Sequence, residues 1–201
     1  MKTIVITGGP CAGKTTALKH IRKALSQKGY RVFCVSETAT ELINGGITPD
    51  NSPSHWHFQY YLSQIQRVKE SVFKQRTDQD NDIIICDRGL LDNKGYLSQE
   101  DFQRLCEVFD TTQEEIIKRY DAIFHLETTA KGKEEHYTTD NNRARSESIQ
   151  EAKELDDKML EAWSSHPNHY VIANIGSFEE KMEMLLEQID SYLEKEQRCH
   201  N

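Results

Sequence analysis

Eight residues near the start of the chain, Gly8-Gly9-Pro10-Cys11-Ala12-Gly13-Lys14-Thr15, limit what it can fold into more than any other feature. They fit the pattern G-x-x-x-x-G-K-[ST], and their setting gives that pattern meaning. A β-branched run, Thr3 to Thr7, leads in, and good helix formers, Ala17-Leu18-Lys19, lead out. A strand must therefore turn sharply into a helix. In such a turn the glycines let successive backbone N–H groups converge on phosphate oxygens, and the helix N-terminus adds its positive end. Gly8, Gly9, Pro10, Cys11, Ala12, Gly13, Lys14, Thr15 and Thr16 are the expected nucleotide contacts. Lys14 is expected to reach the β and γ oxygens, and Thr15 to ligate Mg²⁺. At about 7% glycine usage the pattern arises by chance in on the order of one chain in a hundred of this size, so a bare glycine-rich turn is the weaker reading.

The rest of the chain repeats the alternation that this motif begins. Short β-branched runs at Arg31 to Ser36, Asp82 to Asp87, Asp121 to Leu126 and Tyr170 to Asn174 are separated by segments of helical period. The pattern predicts an α/β three-layer sandwich, a five-stranded parallel sheet with helices on both faces. Ile83-Ile84-Ile85-Cys86 is apolar throughout, as a central strand buried on both faces requires. Helices are expected over 13–28, 55–75, 99–109, 113–120, 146–164 and 178–196. Two carry an apolar stripe at 3.6-residue spacing: Phe58, Tyr61, Ile65, Val68 and Val72 in the second, and Phe178, Met182, Leu185, Ile189 and Leu193 in the last. Both stripes read as core. A single domain is expected over 1–196, with a frayed tail at 197–201. Two polar connections, 44–54 and 128–142, are long enough to be functional, and the segment from about 128 to 147 reads as a lid.

Charge and cysteine content narrow the setting. A net charge of -8 argues against broad nucleic-acid binding, so any phosphate site must be built locally. No apolar run approaches the roughly 20 residues that span a bilayer, and the N-terminus reads as a first strand rather than a signal peptide. Five cysteines without a C-x-x-C pair suit neither a disulfide framework nor a zinc site and point to a reducing, cytoplasmic compartment. Cys34 and Cys86 fall inside apolar runs and read as small buried hydrophobes.

The strand ends carry the chemistry. Ile85-Cys86-Asp87-Arg88 is an apolar strand ending in Asp, which makes Asp87 the expected carboxylate near Mg²⁺. The next residue is Arg88, where a hydrolytic motor carries a water-activating Glu, and an arginine there fits phosphate or substrate clamping better. No N-K-x-D base-recognition motif is present, and Asp92-Asn93-Lys94-Gly95 reads as a loop. Glu37 follows the second strand, so it should face the same crevice as Lys14 and Asp87, either as a base for an acceptor hydroxyl or as the acid at a helix N-cap. Arg143 and Arg145 in the lid are candidates for closing over the transferring phosphoryl group, against a reading as a solvated helix start. Trp56 and Tyr60, four apart, are placed either to stack on a flat acceptor or to pack at the surface. His55 and His57 lie on different helix faces and do not suggest a metal site.

The strings TGGPCAGKTT, SETATELI, CDRGLLD, YDAIFHLETTA, RARSESIQEAKELD and HPNHYVIAN, in this order from Thr3 to about Glu187, resemble the AAA-type P-loop domain shared with the nicotinamide riboside kinase part of NadR. The resemblance implies a kinase-like P-loop fold, ATP or GTP with Mg²⁺, and roles for Lys14, Thr15, Glu37, Asp87, Arg88 and Arg145. Deoxynucleoside kinases are similar in having an acid after the second strand and an acid–Arg pair after the third. The lid here carries Arg143 as well as Arg145, so the resemblance leaves open which one holds the phosphates. It does not name an acceptor. The leading expectation is a small-molecule kinase that moves a γ-phosphoryl group to a nucleoside-like or other hydroxyl acceptor. The rivals are an NTP hydrolase or nucleotide switch, and a nucleotide-dependent binding module for protein, lipid or RNA.

Overall fold

A computed structural model of the chain describes residues 1–76, 81–132 and 148–200. Five strands, β1 (Lys2–Thr7), β2 (Arg31–Val35), β3 (Asp82–Asp87), β4 (Ala122–Leu126) and β5 (His169–Ile172), form one parallel sheet in the order β2-β3-β1-β4-β5. The expected five-stranded α/β sandwich is the observed one. β3 and β4 are buried along their whole length, and the edge strands β2 and β5 are only partly covered. Cys34 lies on edge strand β2 and is half-buried, unlike Cys86 on central β3, so only one of the two expected buried thiols is fully enclosed.

Side-chain alternation along the strands divides the core in two. Ile4, Ile6, Ile83, Ile85 and Phe124 face α1 (Lys14–Gln27) and α7 (Phe178–His200). Val5, Ile84, Cys86 and Ile123 face the other layer. That layer comprises α3 (His55–Arg76), a 3₁₀ turn (Leu90–Gly95), α4 (Gln99–Val108), α5 (Gln113–Ile117) and α6 (Ile149–Trp163). The short helix α2 (Thr38–Asn44) follows β2. Capping fixes two of the starts: Thr112 with Glu115, and Ser148 with Glu151, form reciprocal capping boxes.

Four sequence expectations need correction. The stripe on α3 is not core beyond Phe58: Tyr61, Ile65, Val68 and Val72 are 37%, 36%, 63% and 54% exposed. The helix is turned so that Gln59, Ser63, Gln66 and Glu70 face inward, because each lies where the interior offers polar groups or the main cavity. The stretch Asp92 to Gly95 is a buried 3₁₀ turn rather than a loop, since Asp92 accepts hydrogen bonds from Thr7 Oγ1 (2.6 Å), Trp163 Nε1 (2.6 Å) and the Gly89 N–H (3.1 Å). The helix expected over 178–196 does not stop at Glu196. It runs to His200, tied back by a Lys2–Glu196 ion pair and a Gln197 to Tyr30 Oη hydrogen bond of 2.8 Å. Finally, the helix expected over 113–120 stops at Ile117.

Candidate functional site

The carboxyl ends of β1, β2 and β3 meet at one crevice, where ligands of parallel sheets gather. The turn from Gly8 to Gly13 closes the end of β1. Gly8 has φ 129°, and a Cβ there would lie 2.0 Å from the Leu126 carbonyl oxygen. Gly13 has φ 88°, and a Cβ there would lie 2.7 Å from the Phe178 ring. Both positions therefore favour glycine by conformation, and Gly8, whose neighbour is backbone, by space as well.

The carbonyls of this turn are held from outside the cradle. Thr128 Oγ1 donates to the Pro10 carbonyl, Thr129 Oγ1 to that of Cys11 (3.2 Å), and Lys181 Nζ to that of Ala12 (3.1 Å). Lys14, 3% exposed, donates to the carbonyls of Gly8 (2.9 Å) and Gly9 (2.8 Å). Satisfying carbonyls on the outer side is the condition for presenting N–H groups on the inner one. Asp156 on α6 completes the support: its Oδ1 accepts from the Gly9 N–H at 2.7 Å and lies 3.1 Å from His125 Nε2, and its Oδ2 pairs with Lys131 at 2.7 Å. Burial would raise the Asp156 carboxyl, but His125, Lys131 and the Gly9 N–H outweigh it and hold it at about 2.

Glu37 and Arg88 face each other across the mouth of the crevice, with Arg88 Nε 2.6 Å from Glu37 Oε1. Glu37 occupies the N-cap position of α2, yet its side chain caps nothing; Oε2 accepts from Thr40 Oγ1 at 2.6 Å. The backbone of Glu37 thus stands where an N-cap residue stands, and its side chain is turned to Arg88 and Thr40 instead. Burial pushes the Glu37 carboxyl up, but Arg88, then Lys14, then the Thr40 bond overcome this and hold it far below the usual carboxylate range. Arg88 Nη1 also lies 3.4 Å from the Gly8 carbonyl, so the pair meets the glycine-rich turn. Arg88 is a non-glycine residue at φ 71°, a strained conformation of the kind that clusters at functional sites.

Asp87 is 4% exposed at the end of β3, and Thr15 is exposed at the start of α1. A hydroxyl and a carboxylate are hard oxygen donors and fit Mg²⁺. Among the described residues no group of three or more His, Cys, Asp or Glu is arranged to hold a metal. A cation here would take one or two protein oxygens and the rest from phosphates and water, which is the usual Mg²⁺ arrangement.

A cavity of about 630 Å³ opens beside the cradle and is lined by Pro10, Glu37, Asp87 and Arg88 among others. Phe58 and Tyr96 supply its aromatic surface, and residues 48–50 of the connection after α2 form part of its edge. Gln59 is 3% exposed on the cavity wall, and its Oε1 has no hydrogen-bond partner among the described residues. Trp56 and Tyr60, offered by the sequence as stacking residues, are not in the cavity wall. They stack on each other at 5.3 Å, Tyr60 continues onto Phe109 at 5.4 Å, and Arg104 caps Trp56 at 4.1 Å, so their partners are in the protein. Arg143 and Arg145, and the expected lid from 133 to 147, lie outside the described residues.

Sequence reasoning missed Thr128, Thr129, Lys181, Asp156, Phe58 and Gln59. The first two stand in a strand-end string, LETTA, that could have flagged them. Nothing local marks Lys181, 169 positions from the carbonyl it holds.

Residues 3–181 match a family model described as an AAA domain. No curated protein matches the sequence significantly. Among solved structures, a deoxyadenosine kinase from M. mycoides with products dCMP and a flexible dCDP bound aligns with TM-score 0.61 at 18% identity, covering 94% of this chain and 99% of that one. The same enzyme with bound dATP aligns with TM-score 0.60 at 15% identity, covering 94% of this chain and all of that one. No helix among the described residues is long and apolar enough to cross a membrane.

Proposed function

The chain belongs to the AAA domain family, and from that premise we propose that it is a phosphotransferase, a small-molecule kinase that moves the γ-phosphoryl group of ATP or GTP to a nucleoside-like hydroxyl acceptor. The observation that carries this reading is the Glu37–Arg88 pair, set between the phosphate cradle and a 630 Å³ cavity. A hydrolase needs room for water there. A cavity of this size, with a 97%-buried amide offering Oε1, suits an organic acceptor with an N–H group, since 3% of Gln59 is exposed.

In this reading the turn from Gly8 to Thr16 holds the β and γ phosphates, and Lys14 leaves the carbonyls of Gly8 and Gly9 to pair with them. Thr15 and Asp87 would hold Mg²⁺, which when bound neutralises phosphate charge. Arg88 clamps the acceptor or the phosphoryl oxygens, and Glu37 accepts the hydroxyl proton. A carboxylate held so acidic is a weak base, and a weak base suffices where the transition state is loose and the proton leaves late. Arg145, with Arg143 as the second lid cation, closes over the transferring group.

The test incubates the protein with γ-labelled ATP or GTP, Mg²⁺ and a panel of nucleosides and other hydroxyl metabolites. Label should appear on an acceptor, and Glu37→Gln should lower that transfer by about 10²- to 10⁴-fold with nucleotide affinity and Tm preserved. Release of free phosphate with no transfer would favour the hydrolase instead. Transfer that survives Glu37→Gln within about threefold would remove Glu37 from the mechanism.

A further inference from the structure

The inward face of α3 ends in a buried carboxylate for which the site described above has no use. Glu70 is 0% exposed and gathers three donors: Gln66 Nε2 (3.0 Å) and Tyr120 Oη (2.8 Å) on Oε1, and Arg119 Nη2 (2.8 Å) on Oε2. Each of the first two is itself bonded to the residues that follow β3 or to α2. The Tyr120 hydroxyl accepts from the Leu90 N–H at 3.0 Å. Gln66 Nε2 also lies 3.4 Å from the Arg88 carbonyl, and Gln66 Oε1 accepts from Thr38 Oγ1 at 2.8 Å.

One carboxylate therefore anchors three points: the carbonyl of Arg88, the N–H two residues later, and the residue that follows Glu37. Arg88, whose own carbonyl is the first of these points, stands at φ 71°, a conformation that persists only when its surroundings over-determine it. A buried carboxylate with a salt-bridging arginine costs desolvation that an apolar core would not, so stability alone is a poor reason for it.

We infer that Glu70 is a positioning residue: through Gln66 and Tyr120 it sets the spacing of Glu37 and Arg88, and so tunes phosphoryl transfer without touching nucleotide or acceptor. The inference rests on the phosphotransferase reading. None of the Glu70 bonds reaches the turn from Gly8 to Gly13, and the pair that Glu70 positions meets that turn through Arg88 Nη1, 3.4 Å from the Gly8 carbonyl.

The experiment measures transfer kinetics on the whole chain for wild type, Glu70→Gln, Tyr120→Phe, Gln66→Met and the pair Glu70→Gln/Gln66→Met. The control is Ile189→Ala, which thins the core on the other face of the sheet. Glu70→Gln should lower kcat by about tenfold or more, with the KM for nucleotide within twofold, and the double variant should cost no more than the worse single one, because both break one chain of bonds. Ile189→Ala should lower Tm yet leave kcat within about twofold at a temperature where every variant is folded. If Glu70→Gln does not fold, Gln66→Met and Tyr120→Phe must each show the same loss in kcat at constant nucleotide KM. Losses that add in the double variant, or a kcat for Ile189→Ala that falls as far as for Glu70→Gln, overturn the inference. A wild type that transfers to no acceptor overturns the phosphotransferase reading itself, and the inference with it.

Discussion

Helices α3 and α7 carry the same apolar period and meet opposite fates. On α7, Met182, Leu185, Ile189 and Leu193 are buried against the sheet, while Phe178, expected in the same stripe, is 38% exposed at the helix start. On α3, Tyr61, Ile65, Val68 and Val72 face outward, and the buried positions are Gln59, Ser63, Gln66 and Glu70. The difference follows from what each helix covers. From Met182 onward, α7 lies over apolar strand residues, Ile4, Ile6 and Phe124 among them, and its buried Lys181 meets the carbonyls of Ala12 and Glu127 at the near end. α3 lies over the Arg88 carbonyl, the Asn93 side chain and the Thr38 hydroxyl, groups that cost free energy if buried without partners. An apolar stripe predicts a helix well, and which face is turned inward depends on what awaits it there. That apolar residues lie inside is a one-way rule.

The sharpest way to break this comparison is to thin both stripes. Leu185→Ala on α7 should cost about 2 to 5 kcal/mol, read as a lower Tm and denaturant midpoint, because the residue is fully enclosed and leaves a cavity. A loss below about 1 kcal/mol would mean that the α7 face is not packed as described.

Acid should distinguish the two layers next. The α6 side holds Asp156, whose carboxyl is kept at about 2 against an ordinary 3.8. Its stabilisation is present above the unfolded value and fades as pH falls through the folded one, between about 5 and 2, and amounts to roughly 2 kcal/mol. Asp156→Asn should therefore flatten the acid limb of stability over that window, whereas Leu185→Ala should lower the whole curve and leave its shape alone. Equal acid limbs in wild type and Asp156→Asn would show that the group does not carry the shift.

The smallest effect is expected from Val68→Ser, on the outward stripe of α3, at about 0.5 kcal/mol or less. A larger loss that depends on protein concentration would show that this face is covered in solution.

Much of the molecule was legible from its residues. Strand positions and the sheet came from β-branched runs, and the cradle from eight contiguous residues, because a backbone site depends on local conformation and local glycine. Glu37, Asp87 and Arg88 were legible for a related reason: in a parallel sheet every strand ends at the same edge, so residues after different strands meet without any need to know strand order. Trp56 and Tyr60 were legible only as a pair of alternatives, of which packing within the protein is the one observed, because helical spacing says which residues share a face, but not what that face opposes.

The class of fold, the glycine-rich turn and the meeting of Glu37, Asp87 and Arg88 beside it could all be read from period, motif and strand ends. Only the tertiary structure decided the rest: the rotation of α3, the cavity with Gln59 on its wall, and the outer supports from Thr128, Lys181 and Asp156. These depend on pairings between residues up to 169 positions apart. Such pairings are settled by which buried polar groups must find one another once the sheet has formed, and no local pattern records that.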